Sequence, residues 1–363
     1  MKALHRWWFE PRSPVALGLF RAVFGLVAFT SMLMVLVDLD AWFSRDGFVP
    51  PGLGMTWLGE GVRFNPLGQV QSDGLVLAVY LVTTVAALTL ALGWLTRISA
   101  VTFALGLLAL HHRNPFILHS GDTLLRCSAL YLAVSPCGAA CSVDRLIGLW
   151  KGTAPAVPEP VPVWSQRLIQ YQTALVYGTT LWWKMYGTYW LDGTATWYPA
   201  NLREFDRFPV PAFLDSLPMV KATTYFTLAI ELLLATAVFC KPLRTPILLG
   251  GLALHAMIEY RFNIPLFAFT ITSTYLCFYD GEEVSAWAGR MAARLKGWRV
   301  SLGGAWREGP RAALAAAAPF QLVALEAGGD GTATQVWTRS PALWLFTPWG
   351  VARLLARAKE KAV

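Results

Sequence analysis

The chain has 363 residues, of which 55% are hydrophobic, 13% aromatic and only 14% charged, with a mean hydropathy of +0.46. Soluble domains carry about 25% charged residues. This sequence therefore has too little polar surface to cover a soluble core, and the same numbers exclude intrinsic disorder. A net charge of +8 would suit nucleic acid, but the basic residues are scattered through loops and a tail, as in a membrane topology. No nucleic-acid partner is expected.

The N-terminal stretch MKALHRWWFEPRSP is short and basic, and the apolar run after it lacks a small-residue cleavage site. It reads as a retained first span and not as a cleaved signal peptide. Eight apolar segments of bilayer length or slightly less follow one another, at about 15–37, 75–95, 98–112, 123–140, 166–185, 222–240, 243–259 and 263–279. The connections after the first and fifth are long, aromatic and broken by Pro, which suits short interfacial helices. Beyond Asp280, residues 283–300 pattern as a basic amphipathic helix, 310–319 are Ala-rich, and 344–361 form another basic helix.

The expected fold is all-α: a polytopic transmembrane helical bundle of about eight spans, with interfacial helices and a short basic cytoplasmic tail. The bundle is expected over residues 10–280 and the tail over 281–363. Lys and Arg set the orientation. With the N-terminus inside, the inner segments hold Lys2, Arg6, Arg12, Arg97, Arg145, Lys151, Arg167, Lys241 and Arg244 at more than twice the density of the outer ones. An even number of spans returns the C-terminus to the cytoplasm. The tail agrees, with eleven Lys/Arg against six Asp/Glu. The expected location is a bacterial inner (plasma) membrane, multi-pass, with the lipid bilayer as the first partner.

Ionisable side chains inside apolar spans are costly and mark protein interiors or water-filled cavities. Arg21 lies in the first span, and Asp122 and Arg126 open the fourth, four residues apart and so on one helix face. Their simplest relation is a salt bridge. Lys184 closes the fifth span behind Trp182 and Trp183, Glu231 sits within LAIELLL, and His255 and Glu259 share a face of the seventh. Glu231 needs Arg21, Arg126 or a backbone donor as partner. Asp122, Arg126, Lys184, His255 and Glu259 all fall toward the outer half. Lys184 either snorkels to the headgroups or, desolvated by its aromatic neighbours, serves as a neutral base. The five cysteines include Cys137 and Cys141 without partners for a metal site, so they read as packing residues and no metal is expected.

Four segments carry a likeness in order: SPVALGLFRAVFGL with Arg21; NPFILHSGDTLLRCSALYLAVSPCGAACSVDRL with Ser142–Asp144; RLIQYQTALVYGTTLWWKMYGTYWLDGTATWY with Lys184; and HAMIEYRFNIPLFAF with His255. Together they resemble the HTTM proteins, the membrane domain shared with vitamin K-dependent gamma-carboxylase. The resemblance spans about residues 10–280. It implies a reduced quinone of vitamin K or menaquinol type and oxygen-dependent, lyase-type carboxylation chemistry. In that chemistry Lys184 is the initiating base, with His255 and, as nearest match, His119 assisting. Trp182 and Trp183 would wall the quinol ring, with Asp122, Arg126 and Glu259 completing a substrate site. The carboxylase also has a large extra-membrane region that engages a protein substrate, where this chain has the basic tail.

Two functions stay open on the sequence. One is a quinol-dependent oxidoreductase or carboxylase-like enzyme acting in the outer half of the bilayer. The other is a non-catalytic membrane factor aiding maturation, export or immunity of a secreted peptide or protein. A transporter is the residual reading, since no inverted repeat or broken-helix pair is visible.

Overall fold

The computed structural model describes residues 2–57, 64–155 and 157–294, together with the backbone of two strands in the tail. In chain order the first part comprises α1 (Lys2–Phe9), β1 (Pro11–Arg12), α2 (Val15–Leu36), α3 (Leu39–Phe43), α4 (Leu53–Trp57), α5 (Asp73–Leu92), α6 (Thr96–Arg113), α7 (Ser120–Val134) and α8 (Val143–Lys151). There follow β2 (Val161–Pro162), α9 (Trp164–Lys184), α10 (Thr188–Leu191), α11 (Trp197–Ala200), α12 (Leu217–Ala235), α13 (Lys241–Arg261), α14 (Phe267–Ser273), α15 (Gly281–Arg294), β3 (Trp298–Leu302) and β4 (Val323–Ala327). A 3-10 turn, Thr274–Phe278, prolongs α14.

All eight apolar segments are helical. Three of these helices, α2, α5 and α12, are long and apolar enough to cross a membrane by length and composition. The eighth segment is a short α-helix running into a 3-10 turn, and the fourth ends at Val134, before a turn in which Cys141 has φ +52°. In the tail, the helix expected over 283–300 is described from Gly281 to Arg294, and its last expected residues fall in Trp298–Leu302, which pairs in parallel with Val323–Ala327. The Ala-rich stretch and the last basic helix lie outside the described residues.

The helices pack as two groups. α2 lies on α5, α5 on α6 and α6 on α7; α9 lies on α12, α12 on α13 and α13 on α14. α14 and its 3-10 extension also touch α2, α7 and α9, and so join the groups. Small residues permit the close approaches. A Cβ on Gly25 would sit 2.6 Å from the Ala91 Cα, and one on Gly106 only 2.0 Å from the Thr83 hydroxyl oxygen. Interfaces of this kind suit helices that cannot rely on water to drive them together. The opposite faces are apolar and exposed, as at Leu77, Leu81, Val85 and Leu92 of α5.

Two buried arginines hold the first group together. Arg21, fully buried in α2, donates to the carbonyls of Leu90, Ala91 (3.0 Å) and Cys141. It thereby caps the C-terminal end of α5, where carbonyls have no helical partner. Arg113 at the end of α6 donates to Phe43 (2.9 Å), Leu67 (2.7 Å) and Val70 (2.9 Å), and so fastens the first long connection. Ser142–Asp144 is also architectural. Ser142 caps α8 through the Arg145 amide (3.1 Å), and the Asp144 carboxylate accepts from the amides of Leu95 and Thr96, both at 2.8 Å, at the start of α6.

One end of the bundle gathers charge. Arg12 bonds Asp280 (2.7 Å), the Arg244 guanidinium bonds both Glu283 oxygens (2.9 Å each), and Lys241 lies 3.3 Å from Glu283. Burial alone would raise the Glu283 carboxyl. The Asp280 amide and the Arg244 and Lys241 charges outweigh it and hold the group below its ordinary value of 4.5. A depressed carboxyl stabilises docking of α15 above about pH 4.5, and that contribution is lost as pH falls through the lowered value. Hydrogen exchange of amides 281–290, corrected for intrinsic rates, should therefore quicken only on acidification below pH 4.5. Glu283→Gln should already exchange faster at neutral pH. Equal protection in both proteins would refute the contact.

Candidate functional site

Lys184 is the last residue of α9, and its side chain turns onto α12. Its Nζ donates to Glu231 Oε1 on α12, one turn before that helix ends, and sits 4.7 Å from the centre of the Trp190 ring. α9 and α12 run antiparallel. Because helical side chains lean toward the N-terminus of their own helix, the two residues lean toward each other. The carboxylate is buried, and its second oxygen, Oε2, has no hydrogen-bond partner. Thr180 on α9 lies beside this carboxylate, and its hydroxyl is within 3.0 Å of the carbonyls of Val176 and Tyr177.

Two turns before Lys184 on the same face of α9, the Tyr177 hydroxyl lies 2.8 Å from His255 Nε2 and 2.5 Å from the Tyr275 hydroxyl. These three groups form a buried chain linking α9, α13 and the 3-10 turn after α14. His255 is within electrostatic reach of Lys184, and Tyr177 of Glu231. His255 Nδ1, like Glu231 Oε2, is buried without a partner. The site thus combines an amine–carboxylate pair with an imidazole–phenol–phenol chain. Such an arrangement can hold a proton and pass it over hydrogen-bond distances along the imidazole–phenol–phenol chain.

The remaining expected residues divide differently. Trp182 and Trp183 are 62% and 74% exposed and pack on Tyr186, so they face outward and do not wall the amine; Trp190 covers it instead. Glu231 pairs with Lys184, not with Arg21 or Arg126. The expected Asp122–Arg126 salt bridge does not form. Asp122 accepts from the His119 amide at 2.8 Å and lies 3.6 Å from its ring, while Arg126 donates to Thr123 at 3.2 Å. His119 is the N-cap of α7, accepting from the Gly121 amide at 3.0 Å.

Glu259 pairs with Arg207 of the long second connection, which also stacks Phe208 on Tyr260 and bonds Asp215 to Arg261. That carboxylate fastens a loop. Lys184 and His255 are thus related through α9, which carries Lys184 and, two turns earlier, the Tyr177 that bonds His255, whereas His119 and Asp122 lie across Phe267. The Phe267 ring packs edge-on against His255 at 5.5 Å and would be 3.4 Å from a Cβ on Gly121.

Tyr177 was findable in the sequence, since seven residues place it on the face of Lys184. Trp190 and Tyr275 were not. The first follows the break at Gly187, and the second is 98 residues from Tyr177. Among the described residues no group of His, Cys, Asp and Glu could hold a metal ion.

Comparison with known proteins gives one family. The model described as the HTTM domain matches residues 9–282, which contain the whole of this site. No curated protein and no solved structure matches the chain.

Proposed function

On the premise that this chain belongs to the HTTM domain family, we propose that it is a multi-pass membrane protein whose Lys184–Glu231 pair handles the proton of a membrane-dissolved substrate. The substrate that suits the resemblance to vitamin K-dependent gamma-carboxylase is a reduced quinone of vitamin K or menaquinol type, in carboxylase-like oxidoreductase chemistry. The observation carrying this reading is the inward Lys184–Glu231 bond, an amine and a carboxylate paired within the helix bundle. Lys184 and Glu231 would hold the mobile proton, Tyr177 would link it to His255, and Trp190 would keep water from the amine. A proton-transfer group so placed contributes about 10²–10⁴-fold to rate.

The same reading places eight helices across a plasma membrane with both ends cytoplasmic. In its support, Arg12, Lys241 and Arg244, all expected inside, gather at one end of the bundle.

The test is oxygen uptake by the purified protein in nanodiscs supplied with reduced menaquinone. Wild-type turnover that falls at least about 10²-fold in Lys184→Ala supports the reading. Absence of turnover, or turnover indifferent to Lys184, overturns it.

One observation favours the second reading, a non-catalytic factor assisting a secreted peptide or protein. Two cavities among the described residues, one beside His111 and one between Val27 and Leu276, do not include Lys184 in their lining. In that case a Lys184→Met/Glu231→Leu double variant, which removes both charges, should fold and retain the cellular phenotype.

A further inference from the structure

Arg167, one turn into α9, is 7% exposed and belongs neither to the Lys184 pair nor to the arginine clamps. Its Nη1 donates to Gln170 Oε1 at 2.8 Å, and the Trp7 ring of α1 covers one face of the guanidinium at 3.7 Å. Among the described residues Nη2 makes no hydrogen bond, and it keeps some accessible surface. No acid among them pairs with this arginine. Glu10 and Asp280 are the carboxylates within electrostatic reach, and both bond Arg12, at 3.0 and 2.7 Å. α9 also begins without a side-chain cap, and Arg167 leans toward that positive end. α1 lies on the same end. Trp7 Nε1 donates to the Tyr171 hydroxyl at 3.2 Å, and Trp8 stacks on the Tyr171 ring at 5.3 Å. The rest of α1 is open, with Leu4 and Phe9 exposed beside exposed Lys2 and Arg6. Apolar and basic residues so mixed on a surface helix suit the headgroup–acyl boundary of a membrane.

We propose that the corner between α1 and α9 binds the phosphate of an anionic phospholipid at the open edge of Arg167. A guanidinium stacks on an aromatic ring through its face and binds phosphate through its edge, and the position under Trp7 leaves the edge free for that. The phosphate supplies the counter-charge that Glu10 and Asp280, already held by Arg12, do not. A zwitterionic headgroup would bring its own cation beside Arg12 and the bases of α1 and is disfavoured. The lipid is the source of the phosphate because the exposed apolar side chains of α1 offer its acyl chains a bed that a free phosphate does not use. The site rests on the chain lying in a membrane, and not on Lys184 or a quinol.

The experiment uses the full chain in phosphatidylcholine nanodiscs doped with a phosphatidylglycerol whose acyl chain bears a diazirine near the headgroup, with crosslinks mapped by mass spectrometry. Labels should concentrate on residues 2–9 and 164–171 and fall at least about tenfold in Arg167→Gln, the loss of one charge-assisted hydrogen bond. Should that variant fail to fold, the exposed pair Lys2→Gln/Arg6→Gln decides. A fall of about fivefold per charge supports the proposal and no fall overturns it. Lys184→Met/Glu231→Leu should leave labelling unchanged, which separates this site from the proton-handling pair; a fall there overturns the proposal. Equal labelling by the corresponding phosphatidylcholine, or labelling indifferent to Arg167→Gln, also overturns it. Displacement of the label by millimolar inorganic phosphate would assign the site to a soluble anion and overturn the lipid source.

Discussion

Lys184→Met and Glu231→Gln are each expected to destabilise the protein by about 3–5 kcal/mol, the cost of leaving one member of a buried ion pair alone. Glu231 suffers more than Lys184 when its partner is lost. Its side chain is 7% exposed against 20% for the lysine, and one of its oxygens is already without a hydrogen bond. Without the amine, both oxygens would lack a partner. Lys184→Met/Glu231→Leu should recover most of the loss, because replacing both charges with apolar groups is often neutral or better. Thermal melting in nanodiscs reads all three. A Lys184→Met protein that melts with the wild type would show that the pair is not formed. The double variant separates roles as well: folded but without quinol turnover, it would mark the pair as functional.

Arg21→Leu should cost about 1–3 kcal/mol or more, since the buried Leu90 carbonyl and the part-buried Ala91 and Cys141 carbonyls lose their donor together. The carbonyls belong to the end of α5 and to the turn before α8, so the damage spreads over three elements. Arg21→Lys keeps the charge but loses the planar fork that reaches both sides, and should remain destabilised. Melting temperature and the yield of monodisperse protein measure this. A loss below 1 kcal/mol in Arg21→Leu would refute the clamp.

The course of the helices was legible because hydrophobic runs of bilayer length leave the backbone few alternatives. Partner choice among the buried charges was less so. Asp122 and Arg126, four apart, satisfy the spacing of an intrahelical pair, but Asp122 stands in the first turn of α7, where free amides compete for its carboxylate. The His119 amide wins. Likewise Trp182 and Trp183 adjoin Lys184 in sequence, yet consecutive helical residues are about 100° apart, so all three could not share a face. Glu231 and Lys184 are separated by 47 residues and a long connection. No local pattern connects them; only the antiparallel packing of α9 on α12 does. Arg21 reads as a functional charge in a span, and its carbonyl partners, up to 120 residues away, make it a cap instead.

The way α14 joins the two helix groups bears on how the protein is made. α2, α5, α6 and α7 can pack as soon as residue 134 has been synthesised, and Arg21 finds its last carbonyl at residue 141. The second group cannot close so early. Tyr177 waits for His255 and then for Tyr275, and Phe267 is laid over the imidazole only when α14 docks. In order of synthesis, then, the polar interior around Tyr177 and His255 is the last part of the domain whose contacts can all form. A chain halted before α14 would lack both the Phe267 ring that packs on His255 and the Tyr275 hydroxyl that bonds Tyr177, so the polar interior is closed by its last-made residues.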